Sequence, residues 1–104
     1  MIKTNLTALS RKYLEKKGYY VEKVEHFEFY TKRMHDMLDV GDLLALNGKE
    51  LLLVQVTSRG HLASRRTKST ESEKLKLWLQ AGGKFLLHGW DKPLYRWRLK
   101  EEEL

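Results

Sequence analysis

Val40-Gly41-Asp42-Leu43-Leu44-Ala45-Leu46, then Asn47-Gly48-Lys49, then Glu50-Leu51-Leu52-Leu53-Val54-Gln55-Val56-Thr57, is the stretch on which the fold turns. Two apolar runs flank Asn-Gly, the strongest short-range signal for a β-hairpin. The reading is a strand over Val40 to Leu46 and a second over Glu50 to Thr57. The second run is almost continuously apolar, as expected of a strand covered on both faces. Helices therefore pack on a sheet at this point.

Strand side chains alternate with period two, so Gln55 and Thr57 share a face. A two-residue turn at Asn47-Gly48 puts Asp42 opposite Leu53, with Gln55 diagonal to it. A four-residue loop from Asn47 to Glu50 puts Asp42 directly opposite Gln55. Both place the two polar side chains on one face, roughly 5 to 8 Å apart at Cβ. A three-residue loop separates them.

Outward from the hairpin, Asn5 or Thr4 caps a first helix bearing Leu6, Leu9, Tyr13 and Leu14 on one face, and Gly18 ends it. Tyr19 to Val24 reads as a short strand. His26 to Asp39 shows no period and is taken as a long connection with a short helical turn. Beyond the hairpin, Arg59 to Lys68 is basic and free of acids. A second helix follows, with Thr70 and Glu73 at capping-box spacing or with an earlier start near Leu62 and a kink. Gly82-Gly83 stops it. Lys84 to Trp90 is another strand, and Tyr95, Trp97 and Leu99 alternate with basic residues as a half-exposed edge strand.

The expected fold is α/β: one domain over residues 1–104, a mixed sheet of about five strands, two main helices, and the order α-β-β-β-α-β-β. The helix between two strands makes a crossover, so part of the sheet is parallel. Glu101, Glu102 and Glu103 read as a frayed acidic tail from about residue 100.

The chain has 104 residues, and 41% of them are apolar, enough for one core. It has no cysteine, which excludes disulfides, thiolate metal sites and a cysteine nucleophile. The longest apolar run, Leu51 to Val54, is far too short to span a membrane, and no secretory leader is evident. A cytoplasmic location is the expectation. The net charge of +6 suggests an acidic partner, with nucleic acid the commonest.

An Asp at the start of one hairpin strand, followed by an acid-x-Lys triplet on the next, marks the PD-(D/E)XK nucleases, which include restriction endonucleases and Holliday junction resolvases. The chain resembles this superfamily over about residues 11 to 98. Asp42 in Val40-Gly41-Asp42-Leu43-Leu44-Ala45 matches the first element, and Gln55-Val56-Thr57 occupies the triplet. Val54-Gln55-Val56-Thr57-Ser58, Arg65-Arg66-Thr67-Lys68 and Leu87-His88-Gly89-Trp90 resemble small phage and bacterial proteins assigned to the same group.

The resemblance implies a restriction endonuclease-like core and hydrolysis of DNA phosphodiesters with Mg²⁺ or Mn²⁺, for which hard oxygen ligands are required. It makes Asp42, Gln55 (through its amide oxygen) and Val56 (through its carbonyl) the metal ligands. The triplet departs from the family at two positions. Gln55 is neutral where an acid is expected, and Thr57 stands where the lysine is expected. Lys68, or Arg65, on the following segment is the candidate replacement. Asp36 and Asp39 are further oxygen donors, Glu15 is the only acid of the first helix, and His35 is a possible neighbour. Arg59, Arg65, Arg66 and Lys68 are the candidate phosphate contacts, which add affinity without base specificity. Symmetric cleavage of duplex or branched DNA needs two sites, which makes a homodimer a further expectation.

Two rival readings come from the same residues. One is a catalytically inactive nuclease-fold protein that binds nucleic acid through residues 59–68. The other is a small regulatory factor that meets an acidic protein, with Phe27 to Tyr30 as the contact.

Overall fold

The computed structural model describes residues 5–104. Helix α1 (Leu6–Lys16) is followed by β1 (Tyr20–Lys23), β2 (His26–Glu28), β3 (Arg33–His35), β4 (Leu43–Leu46) and β5 (Leu51–Ser58). A 3-10 turn (Arg59–His61) leads into α2 (Leu62–Thr70) and α3 (Glu73–Gln80). Then come β6 (Lys84–Asp91), a second 3-10 turn (Pro93–Tyr95) and β7 (Arg98–Glu103).

The fold is α/β. Five strands form a mixed sheet in the order β1-β4-β5-β6-β7. The β5–β6 pair is parallel, and the other neighbours are antiparallel. Helices α2 and α3 supply the crossover that the sequence calls for between β5 and β6. Strand β5 lies at the centre, which explains its continuous apolarity. Leu52, Val54 and half-buried Val56 face the cluster that includes Leu14 of α1. Leu53 faces the other way, into a cluster with Leu62 of α2 and Leu75 of α3. No helix among the described residues is long and apolar enough to cross a membrane.

Asn5 caps α1, its Oδ1 accepting from the N–H of Thr7 at 3.0 Å and of Ala8 at 3.3 Å. Thr4, the other candidate cap, lies outside the described residues. The hairpin loop is the four-residue alternative, since Leu46 pairs with Leu51. Asn47 sets it by accepting from the N–H of Lys49 and of Glu50, an Asx turn that leaves Gly48 at φ +87°.

Several expectations need correction. Residues 26–39 hold a second, two-stranded sheet, β2–β3, in place of a loop with a helical turn. Three-residue strands are too short to display a period, and cross-strand pairs hold them instead: the His26 and His35 rings stack at 5.7 Å, and His35 Nε2 lies 2.9 Å from Glu28. The second helix is two helices, α2 and α3. The break comes at Ser72, whose Oγ caps α3 by accepting from the Leu75 N–H, while Thr70 Oγ1 donates back to the Thr67 carbonyl. The order is therefore α-β-β-β-β-β-α-α-β-β.

The last strand lies further along than the alternation of Tyr95, Trp97 and Leu99 suggests. Leu94 and Tyr95 have φ of 51° and 74°, which breaks an extended chain there. The acidic run is not frayed: Glu101, Glu102 and Glu103 pair with His88, Leu87 and Leu86 at the sheet edge. Finally, β4 begins at Leu43, so Asp42 stands just outside the strand that was expected to contain it.

Candidate metal centre

Asp42 is held by three hydrogen bonds where β4 parts from β5. Its N–H donates to the Val54 carbonyl at 2.8 Å, and its own carbonyl accepts from the Val24 N–H at 2.9 Å. The Val56 N–H donates to Asp42 Oδ2 at 2.7 Å. The side chain thus takes over an N–H of β5 that the departing strand leaves unpaired. Gly41 permits the departure, because a β-carbon there would collide with the Leu53 side chain.

The chain then doubles back on itself. Met37 bridges to Gly41, and Leu38 and Asp39 between them have φ of 56° and 65°. Two consecutive left-handed residues without glycine are uncommon and costly, and such conformations concentrate at functional sites. This turn brings Asp36 against Asp42. Glu25, just past β1, completes a group of three carboxylates whose oxygens lie within 4.8 Å of one another.

Asp42 is 7% exposed. Burial pushes its carboxyl up to about 8, and the negative charges of Asp36 and Glu25 push in the same direction. The hydrogen bond from Val56 opposes them and is outweighed. Three hard oxygen donors gathered in a partly dry site are the donor chemistry that suits Mg²⁺ or Mn²⁺.

The three acids open onto a polar cavity of about 370 Å³, also walled by Thr7, Met34, Gln55, Val56, Arg65 and Lys68. Arg65 and Lys68 are three residues apart on α2 and so share a helix face. Asp42 and Gln55, paired by parity in the sequence, do meet at this cavity. Gln55 is 2% exposed, and its Oε1 accepts from Ser69 Oγ at 3.3 Å. The amide oxygen assigned to a metal by resemblance thus already has a partner on α2. Thr57 lies buried outside the cavity walls, next to Gly89 of β6.

The remaining sequence candidates go elsewhere. Arg66 forms a bidentate pair with Glu102, at 2.7 and 2.6 Å, and Arg59 lies 3.6 Å from Asp91. Glu15 pairs with Arg11 on the exposed side of α1, Asp39 with Lys74, and His35 with Glu28. Glu25 was missed, because it belongs to no periodic run. Its one available signal is position: it lies just past the strand that runs beside β4 in the sheet.

A second polar group lies away from this centre. Ser10 Oγ accepts from Trp90 Nε1 at 2.8 Å and lies 2.8 Å from His88 Nδ1, while His88 Nε2 lies 2.8 Å from Glu101. The order serine–histidine–acid is that of a hydrolase relay. Ser10 and His88 are fully buried, and the serine hydroxyl is consumed by its two neighbours. The group pins α1 to β6 and β7. No protein-family model matches the chain, and none of the curated proteins matches it.

Proposed function

We infer that the protein is a metal-dependent nuclease that hydrolyses phosphodiester bonds of DNA, with Glu25, Asp36 and Asp42 holding Mg²⁺ or Mn²⁺. One observation carries the reading: three carboxylates and the two cationic side chains Arg65 and Lys68 wall the same cavity. This is the division of charge that phosphodiester hydrolysis asks for, with acids for the metal and bases for the phosphate. The resemblance of the hairpin to the PD-(D/E)XK nucleases supports it independently.

A bound divalent cation supplies a Lewis acid and lowers the pKa of water. The protein's own residues do the rest. Val56 fixes the orientation of the Asp42 carboxylate through its N–H. Lys68 and Arg65 offset the negative charge that builds on the phosphate oxygens as the water oxygen bonds to phosphorus and the bond to the leaving oxygen breaks. In this assignment Lys68 takes the role that Thr57 cannot fill, and Glu25 and Asp36 supply the charge that Gln55 lacks.

Incubation of supercoiled, linear and branched DNA with the protein and Mg²⁺ or Mn²⁺ tests the reading. Cleavage should require the metal and fall by about 100-fold or more in Asp42→Ala and in Asp36→Ala. Metal-independent cleavage, or cleavage unchanged in both variants, refutes it. A second reading, DNA binding without hydrolysis, is favoured by Gln55 and Thr57 at the triplet positions. It predicts salt-sensitive binding with no cleavage under any metal.

A further inference from the structure

The β2–β3 hairpin contributes no acid or base to the cavity, yet it is attached to it. Met34 of β3 lines the cavity, and Asp36, just beyond β3, belongs to the acidic group. Phe27 pairs with Met34 across the hairpin, so both lie on one face, while His26, Glu28, Arg33 and His35 occupy the other. The polar face is tied together by the His26–His35 stack and the Glu28–His35 pair. The apolar face remains half exposed. At the tip, Phe29 and Tyr30 are 78% and 93% exposed. Their rings meet edge to face, with centroids 6.2 Å apart, which leaves open ring faces toward solvent.

Charge decides what such a tip fits. The run Phe29-Tyr30-Thr31-Lys32-Arg33 has two cations and no acid. Among the described residues, neither Lys32 nor Arg33 forms an ion pair, and Glu28, the acid opposite Arg33 at the tip end of the hairpin, is held by His35. Open aromatic faces beside free cations match a nucleic-acid strand: bases stack on the rings and phosphates meet the cations. A paired base in a duplex has no free face, so the match is to unpaired bases. Three residues of strand place the tip about 10 Å from the cavity.

We propose that the β2–β3 hairpin is a substrate arm that stacks unpaired bases of a nucleic-acid strand on Phe29 and Tyr30, on the same strand whose phosphate enters the Asp42 cavity. This deepens the nuclease reading and rests on it for the position of the scissile phosphate. It directs the enzyme to single strands, forks and flaps over blunt duplex.

The test is fluorescence anisotropy of the full chain, without divalent metal, on a fluorescein-labelled single strand and on a blunt duplex of the same sequence. Phe29→Ala/Tyr30→Ala should weaken single-strand binding by about tenfold or more. Duplex binding should change by less than about threefold, because the rings have no base face to meet there. Phe29→Leu/Tyr30→Leu should lose as much as the alanine pair, because it keeps apolar area but no ring face. Lys32→Ala/Arg33→Ala should reduce the slope of log affinity against log salt by about 1.4 on the single strand.

Unchanged single-strand affinity in the ring variants overturns the proposal, as does an equal loss on both substrates or full binding by the leucine pair. Self-association of the wild type in sedimentation, abolished by the ring variants and unaccompanied by oligonucleotide binding, also overturns it and assigns the tip to a second copy. Cleavage plays no part in this readout. A stacking arm without hydrolysis and hydrolysis without a stacking arm are therefore separable results.

Discussion

Val56 donates its backbone N–H to the carboxylate of Asp42 at 2.7 Å, so the central strand of the sheet itself orients the acid that leads the cavity. The bond lies between residues 14 apart in sequence, across the loop that Asn47 sets. It makes the position of Asp42 a property of the hairpin register, and the acid's chemistry a property of what the rest of the chain brings near it.

That chemistry gives a pH dependence. Asp42 has a folded-state value of about 8 against an ordinary 3.8, so between these values the native chain keeps a proton that the unfolded chain has lost. The contribution to stability is full below the ordinary value and is lost as pH rises toward about 8. In chelator, thermal unfolding should give a lower Tm at about pH 8.5 than at about pH 5.5. Asp42→Asn should flatten the difference, since its amide oxygen still accepts from Val56 and carries no charge. A Tm that rises over this interval in the wild type counts against the buried acid.

If the three acids hold a divalent ion, as proposed, its binding must expel that proton. Below about pH 8, affinity for Mn²⁺ should climb by up to about tenfold per pH unit, and each ion bound should release close to one proton. Calorimetry in two buffers of different ionisation enthalpy measures the release. Asp42→Ala should abolish both the binding and the stabilisation by excess metal.

The basic residues of α2 should separate by the direction they face. Arg65→Ala and Lys68→Ala should weaken DNA binding and lower the salt slope by about 0.9 each on duplex. Arg66→Ala should leave the slope nearly unchanged, because its guanidinium is held by Glu102. Salt titrations of the three variants provide the comparison. An Arg66 effect as large as that of Arg65 would show that the pair opens on binding.

Ser10→Ala should destabilise the fold without touching the cavity. It strips the Trp90 N–H and His88 Nδ1 of their common partner inside the core. The expected loss is about 2 kcal/mol, or a fall in Tm of about 10 °C. DNA cleavage at a temperature well below the transition should be unaffected, which distinguishes a structural serine from a nucleophile.

Gly41→Ala should cost both stability and metal binding. The added methyl meets Leu53, itself fully buried, and either the core or the turn that carries Asp42 must move. Tm and Mn²⁺ affinity should fall together. A variant that lost stability alone would mean the turn recovers its geometry.

Sequence periodicity reached the elements that local physics controls. The alternating and continuous apolar runs marked the hairpin and the parallel strand, because burial on one or both faces writes a pattern into the chain itself. Asn47-Gly48 marked the turn, and parity along the strands put Asp42 and Gln55 together at the cavity. The two even-length loops remained equivalent, and the choice between them came from Asn47 accepting two backbone N–H groups. The β2–β3 hairpin escaped notice because a pair of three-residue strands carries no period. The acidic run at 101–103 read as a tail because its partners, His88 and Arg66, lie 13 and 36 residues away.

By itself, the sequence determined the α/β class, the central apolar strand, the crossover that makes it parallel to its neighbour, and a strand-edge aspartate on the same face as Gln55. Each of these follows from interactions between residues close along the chain or from burial that repeats with a fixed period. Only the tertiary structure decided the composition of the site. It set Glu25 and Asp36 beside Asp42 and Gln55, brought Arg65 and Lys68 of α2 to the same cavity, and left Thr57 outside its walls. It tied Arg66 to the sheet edge, and it closed Ser10 into the core. Those meetings depend on where separate elements come to rest against one another, which no local pattern encodes.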